Sequence, residues 1–299
     1  MQKFNGKSFI SKEKIEGCEA IGNPASIYLL EDNEEFDRNY MSKIGIDDGK
    51  NNIPMAVFIK KIKDLENSYN IYFYQPSGVQ AYMCGHGTLV ATWVLYKKFN
   101  LNNVNFYFDL GVYDIRGGKK PDNNLIKTSV KDDKVMIVMN SYHYEKVTNR
   151  DKDITDLKNL LNLSNDNIKD IIKGIEFFDL TFVLNDANIL RNCRPNFEAI
   201  SPILSKLNIR NLCLTARSSL DEFDFESRVF CPHDDLDEDK VCGSSNLTIT
   251  KYWNDMNNKD QFKILFPYRM TYTEKLVGGV QFTSINNDII SIGGYCEIY

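Results

Sequence analysis

The sequence has no uninterrupted apolar run near the ~20 residues that a membrane-spanning helix needs. Its first ten residues, Met1-Gln-Lys-Phe-Asn-Gly-Lys-Ser-Phe-Ile10, hold no apolar core of signal-peptide length. No cluster of Lys or Arg is long enough to recruit nucleic acid or a membrane surface. Lysines are instead interleaved with Asp and Glu, as on a solvated face. The three histidines could not reverse the formal net charge of −5. There is no Cys-x-x-Cys pair and no His/Cys grouping with metal-ligand spacing, so neither structural zinc nor any other metal is expected. The seven cysteines, at 18, 84, 193, 213, 231, 242 and 296, are odd in number and irregularly spaced, which does not describe a disulfide framework. Reduced thiols in a cytoplasmic protein are the economical expectation.

What remains is an ordinary globular composition, 42% hydrophobic and 26% charged, in 299 residues, enough for a sizeable core in one or two domains. Strand-like and helix-like segments alternate irregularly, which points to mixed α+β. Strands are expected at Ala25–Leu30, Met55–Ile59, Ile71–Met83 (broken at Pro76-Ser77-Gly78), Val104–Asp109, Val135–Met139, Leu180–Leu184, Leu212–Thr215 and Ser227–Cys231. Helical spacing joins Phe36, Tyr40, Met41 and Ile44, with Gly45 and Asp47-Asp48-Gly49 as the stop. It recurs at Ile154, Leu157, Leu160 and Leu161, at Ile168, Ile171 and Ile172, and in the stripe from Phe197 to Leu207. Gly117 to Asn124 reads as a loop, and Asp234 to Asp239 as an acidic loop. The domains divide near residue 140, into 1–140 and 141–299, with a last strand at 287–298 that could return to the first.

Two junctions stand out. Met83-Cys84-Gly85-His86-Gly87-Thr88 follows an extended run and opens a helical run from Leu89 to Phe99. A cysteine there lies among unpaired backbone N–H groups at the positive end of a helix dipole, which favours thiolate. The alternative is a small buried residue at a tight turn. The second junction weighs against that alternative. Cys84-Gly-His-Gly-Thr-Leu89-Val-Ala-Thr92 and Cys242-Gly-Ser-Ser-Asn-Leu247-Thr-Ile-Thr250 share Cys, Gly, Leu and Thr at the same offsets, each with a nearby Trp (Trp93, Trp253). An internal repeat on this scale suggests two similar domains facing one another. Two helix N-termini would then point into one cleft, each carrying a sulfur, and such ends bind carboxylates. A thiolate on one face could remove the proton α to a carboxylate and a thiol on the other return one, inverting the centre without a cofactor. The reference thiol pKa of about 8.5 suits both states, and a bell-shaped pH dependence follows.

These residues resemble a known superfamily. Met-Cys-Gly-His-Gly-Thr is similar to the first catalytic motif of proline racemases. Cys-Gly followed by small polar residues is similar to their second motif and to that of diaminopimelate epimerase. The linear layout resembles the phenazine-biosynthesis-type isomerases more closely. Their order of Gly-Asn-Pro-Ala, Phe-x-Pro-x-Gly, Cys-Gly-His-x-Thr, Ser-Arg-Phe-Phe-x-Pro and Glu-Asp-Pro-Val-Thr-Gly-Ser is met by Gly22–Ala25, Tyr74–Gly78, Cys84–Thr88, Ser227–Pro232 and Glu238–Ser244. The resemblance implies two pseudo-symmetric domains of the diaminopimelate epimerase-like fold, each a barrel-like sheet around a central helix. It also allows a homodimer. Two departures matter. The phenazine-type isomerases carry a catalytic Glu before the Cys-Gly-His motif, whereas Ile53 to Phe58 here has no carboxylate. The position usually Thr in the second motif is Cys242.

The expected function is therefore a cofactor-independent amino-acid racemase or epimerase acting on a carboxylate-bearing small molecule, with Cys84 and Cys242 as the acid/base pair. Gly85, Gly87 and Gly243 would let backbone approach the substrate, although turn glycines are also needed for shape. His86 would orient substrate or cap its helix. Ser244 and Ser245 would donate to the carboxylate or simply cap. Asp239 would hold an ammonium group or belong to a solvated loop, and Asn23 would reach the cleft or shape its turn. The alternatives are a phenazine-type isomerase shifting a proton in an unsaturated hydroxy acid, and a non-catalytic binding protein of the same fold.

Overall fold

A computed structural model describes residues 1–109, 111, 123–140, 142–148, 152–233, 236–269 and 276–299. The first half runs β1 (Gln2–Ile10), β2 (Cys18–Glu19), β3 (Asn23–Leu29), α1 (Arg38–Lys50), β4 (Ala56–Lys61), β5 (Ser68–Tyr74), β6 (Gln80–Ala81), α2 (Gly85–Phe99), β7 (Asn103–Phe108), β8 (Leu125–Lys131) and β9 (Lys134–Asn140). The second runs β10 (Tyr144–Lys146), α3 (Lys152–Leu160), β11 (Ile168–Gly174), β12 (Leu180–Leu184), α4 (Ala187–Asn192), α5 (Phe197–Lys206), β13 (Leu212–Arg217), β14 (Phe225–Cys231), β15 (Leu236–Asp239), α6 (Gly243–Asn257), β16 (Gln261–Arg269), β17 (Leu276–Asn286) and β18 (Ile289–Ile298).

Strand pairing closes a barrel of eight strands in the order β1, β3, β4, β5, β7, β8, β9, β18 and back to β1. The second series runs β10, β11, β12, β13, β14, β16, β17, β18. The two series repeat one plan. β3 to β4 and β5 to β7 are parallel, β4 to β5 and β5 to β6 antiparallel. The same senses recur for β12 to β13, β14 to β16, β13 to β14 and β14 to β15. β18 belongs to both series, because one of its edges bonds to β9 while the other bonds first to β17, through residues 289–293, and then to β1, through residues 295–298.

Each series holds one helix of 15 residues, α2 and α6. Every residue of α2 from Gly87 to Leu95 is buried, so this helix has no solvent face over two turns and sits inside its sheet. Its polar residues satisfy themselves: the Thr88 hydroxyl donates to the Cys84 carbonyl (2.8 Å) and the Thr92 hydroxyl to that of Thr88 (2.9 Å). Both helices end at an asparagine in the left-handed region, Asn100 (φ 56°) and Asn258 (φ 49°). Cys84 and Cys242 share one continuous hydrophobic core with residues of both halves.

Three expectations are corrected, and one strand, β1, was not anticipated. Ile168, Ile171 and Ile172 lie on a strand, β11, not on a helix: three β-branched residues at mixed spacing fit either period, and pairing with β10 and β12 decides. α1 does not stop at Gly45 but runs to Lys50. Gly45 and Gly49 let the helix lie against Tyr74, Gln75 and Pro76, since a Cβ on them would approach those residues to 2.9 and 2.5 Å. Within the expected acidic loop, residues 236–239 pair with β14, and Glu238 is buried in a bidentate pair with Arg228 (2.7 and 2.8 Å). The strand β1 carries no clean alternation, yet its pairing with β3 and β18 helps close the barrel. Residues 234–235 of that acidic loop, and 117–122 of the Gly117–Asn124 loop, lie outside the described residues.

Candidate active site

Cys84 and Cys242 occupy equivalent places. Each is the extended N-cap of its central helix, and each is buried (8% and 6% exposed). The Gly87 N–H donates to Cys84 Sγ (3.4 Å), and the His86 ring lies beside that sulfur, Nδ1 at 3.2 Å. At the second junction Cys242 Sγ meets Ser244 Oγ at 3.5 Å and donates to Ser245 Oγ at 3.4 Å. The two sulfurs and Asp239 form one electrostatic group. Burial pushes the Cys84 thiol up to about 12, against the Gly87 N–H, and the charges of Asp239 and Cys242 push the same way. Burial and Asp239 push Cys242 up to about 11, opposed by the Arg210 guanidinium. A helix N-terminus alone would lower both values; desolvation outweighs it here. His86 is pushed down to about 4 by burial and by the Lys240 ammonium, so beside Cys84 it is a neutral imidazole. The resting pair is thiol and imidazole.

Asn23, at the start of β3, donates from Nδ2 to Asp239 Oδ1 (2.9 Å), tying the first half to the end of β15. The same oxygen accepts the Val241 N–H (3.2 Å). Ser245 is brought to the site, but its hydroxyl oxygen already accepts from Arg210 (3.3 Å) and Asn211 (3.1 Å), with Arg210 held bidentately by Asp179 (2.8 and 2.6 Å). Its position suits it to hold Cys242 in place, while Ser244, on the less buried side, is the freer donor.

The three glycines separate into two kinds. Gly87 is required by packing: a Cβ there would come within 2.7 Å of Val57 and 3.5 Å of Met55. Gly85 and Gly243 are not, and neither lies in the left-handed region. A Cβ on Gly85 would meet nothing nearer than Ile137 at 4.0 Å, and one on Gly243 would meet Ile292 at 3.7 Å and Gln281 at 3.8 Å. Backbone that a side chain does not crowd, beside helix-start N–H groups, is where a carboxylate can approach. Gly85→Ala and Gly243→Ala are therefore expected to keep thermal stability within about 1 kcal/mol while weakening substrate binding tenfold or more. Melting curves and KM values check this, and unchanged KM in both variants would remove these glycines from the binding surface.

Sequence reasoning missed Lys240, Arg210 and Gln281. Lys240 is half-buried between Asp239 and Val241 and makes no hydrogen bond or ion pair among the described residues. Burial lowers its pKa, Asp239 opposes that, and Lys7 adds to it. The signal for Lys240 was available, since a cation stands where the resembled motif has proline. For Arg210 and Gln281, remote in sequence from both junctions, there was none.

Met55 and Val57, against Gly87, supply only apolar surface where the resemblance would place a catalytic carboxylate. Among the described residues no group of His, Cys, Asp and Glu could hold a metal ion, and no helix is long and apolar enough to cross a membrane.

Comparison with known proteins agrees with this architecture. Residues 19–271 match the family described as phenazine biosynthesis-like protein. An uncharacterized isomerase of Halalkalibacterium halodurans is 22% identical over 277 residues, 91% of this chain and 89% of that protein. The crystal structure of a phenazine biosynthesis protein from Clostridium difficile (strain 630) matches with a TM-score of 0.74 and 20% identity, covering 99% of this chain and 96% of that one. A hydroxyproline epimerase from Agrobacterium vitis, solved with bound trans-4-hydroxy-L-proline, shares the fold at a TM-score of 0.54 and 10% identity, over 99% and 91% of the two chains. With a family match over most of its length and a closed barrel around a cysteine-capped helix, the chain belongs to the phenazine biosynthesis-like protein family, and it is an isomerase.

Proposed function

We propose that the protein is a cofactor-independent racemase or epimerase that inverts the α-carbon of an amino acid by a two-base mechanism at Cys84 and Cys242. One observation carries this reading: two buried cysteines stand at the N-cap positions of two equivalent helices, and the charge of Cys242 reaches Cys84. In the forward step one cysteine, as thiolate, takes the α-proton and becomes a thiol. The electron pair left on carbon is delocalised into the substrate carboxylate. The opposite cysteine gives its S–H proton to the other face and becomes the thiolate, so one turnover interchanges the two sulfurs' states. His86, a neutral imidazole 3.2 Å from Cys84 Sγ, orients that sulfur; pushed down to about 4, it does not hold the thiol's proton, which leaves to solvent when the thiolate forms. Lys240, which forms no hydrogen bond or ion pair among the described residues, draws an anionic substrate toward the cleft, and Asp239 offers a carboxylate to an ammonium group. The hydroxyproline epimerase with its bound imino acid supports an amino acid as the ligand class.

A second reading, a phenazine-type isomerase that shifts a proton in an unsaturated hydroxy acid, is favoured by the family match. It must use Asp239 or His86 as base, because Met55 and Val57 provide no carboxylate.

The deciding experiment incubates purified protein with a panel of L-amino acids in heavy water and follows α-deuterium incorporation together with optical rotation. Exchange with inversion on at least one member is expected. No exchange on any amino acid, with turnover of an unsaturated hydroxy acid, would replace the first reading by the second.

A further inference from the structure

Beyond the junctions themselves, the two halves differ at a polar position beside the site. The Thr250 to Thr283 hydroxyl contact (3.4 Å) repeats that of Thr92 to Thr128 (3.0 Å), and this sets the register between the halves. Thr283 faces Ile292 across the sheet as Thr128 faces Ile137. Two residues earlier on the same strands stand Gln281 and Ile126. The place of a Cβ on Gly85 faces only Ile137, whereas that of Gly243 faces Ile292 and also the side-chain nitrogen of Gln281, at 3.8 Å.

Gln281 is fully buried on β17. Its Oε1 accepts from the Asn246 side-chain amide, and Asn246 is oriented in turn by the Ser227 hydroxyl, which donates to Asn246 Oδ1 (3.2 Å). That chain of donors directs Gln281 Nε2 toward Gly243, and Nε2 has no hydrogen-bond partner. Buried donors without acceptors are costly and uncommon in folded proteins. An amide N–H aimed at the glycine side of a helix N-terminus selects an anionic acceptor and repels an ammonium.

We infer that Gln281 is a substrate-binding residue whose side-chain amide donates to the carboxylate of the ligand at the Gly243 end of the cleft. The carboxylate then has a preferred end: Gly243, Ser244 and Gln281 hold it, and the Gly85 end, faced by Ile137 and His86, takes the rest of the molecule. This rests on the reading that the cleft takes a carboxylate substrate, and its test needs no turnover.

The probe is sodium acetate, with acetamide as the neutral control. In 15N-labelled protein the Gln281 side-chain NH2 signals, identified by their loss in Gln281→Leu or Gln281→Met, are expected to shift saturably with acetate and not with acetamide. Either variant is expected to bind acetate at least tenfold more weakly. If the Gly243 and Ser244 backbone amides shift while the Gln281 side chain does not, the inference is overturned and the carboxylate site survives. If no resonance of the second junction moves, the inference is again overturned. α-Deuterium exchange in the wild-type protein separately decides the racemase reading. Two variants are used so that one folded variant suffices to identify the Gln281 signals, after which the wild-type titration carries the result.

Discussion

Replacing either Cys84 or Cys242 by serine is expected to lower racemisation by about 10²- to 10⁴-fold, the range over which a positioned acid or base contributes. The two variants should not be equivalent when exchange is followed from each enantiomer separately. With Cys84 as serine, the remaining thiolate at Cys242 faces one enantiomer's α-proton only, so that enantiomer can still exchange while its mirror image cannot. Cys242→Ser should show the opposite preference. The double variant should lose both. Serine keeps a hydroxyl at each N-cap, a good capping group, so the helices should stay formed and a loss of activity can be assigned to the sulfur. Wild-type racemisation in either single variant would end the two-thiol reading. Full turnover of an unsaturated hydroxy acid by the double variant would transfer the role to Asp239 or His86, whose partners Asn23 and Cys84 Sγ lie 2.9 and 3.2 Å away.

The junctions could be read in the sequence because their chemistry is local. A cysteine followed by glycine, with Leu and Thr at fixed later offsets, encodes a cap, an open approach and a buried helix face within nine residues, and each half states it once. Most strands were visible too, because the runs at Ala25, Val104 and Leu180 are dense in β-branched and aromatic residues. What was hidden depends on partners far away in the chain. β1 becomes a barrel strand because residues near 25 and 297 bond to it. β11 is extended because two neighbours claim its edges. α1 continues through two glycines because the turn after β5 leaves room only for them. Glu238 sits in the core because Arg228 neutralises it. The charge state of the thiols was hidden for the same reason. Adjacent residues announce a helix start, which lowers a thiol pKa, but the depth of burial that raises it is set by the whole core around Cys84 and Cys242.

That reversal has a measurable consequence in the pH dependence. The proposed two-base mechanism needs one thiolate and one thiol. With the reference thiol value of about 8.5 the active form would be well populated near neutral pH. Burial instead moves the thiols to about 11 and about 12, and the steps belong to the coupled pair rather than to either sulfur. A raised thiol pKa means that protonated sulfur predominates below it. At pH 7 a group with a pKa of about 11 is ionised to only about one part in 10⁴. The logarithm of kcat/KM is therefore expected to climb with a slope near one from neutral pH toward about 11, and to turn down only when the second thiol ionises. Asp239 raises both thiols. Asp239→Asn, which keeps a side-chain oxygen for the Asn23 amide and the Val241 N–H, should slide the rising limb to lower pH and increase the thiolate fraction at pH 8. Comparing the two proteins on one substrate cancels the substrate's own ionisation. Ultraviolet thiolate absorbance, measured across the same range without substrate, should follow the same displacement. A level kcat/KM between pH 7 and 10 in the wild-type protein would show that the helix N-termini prevail over burial, and that a thiolate is already present at rest.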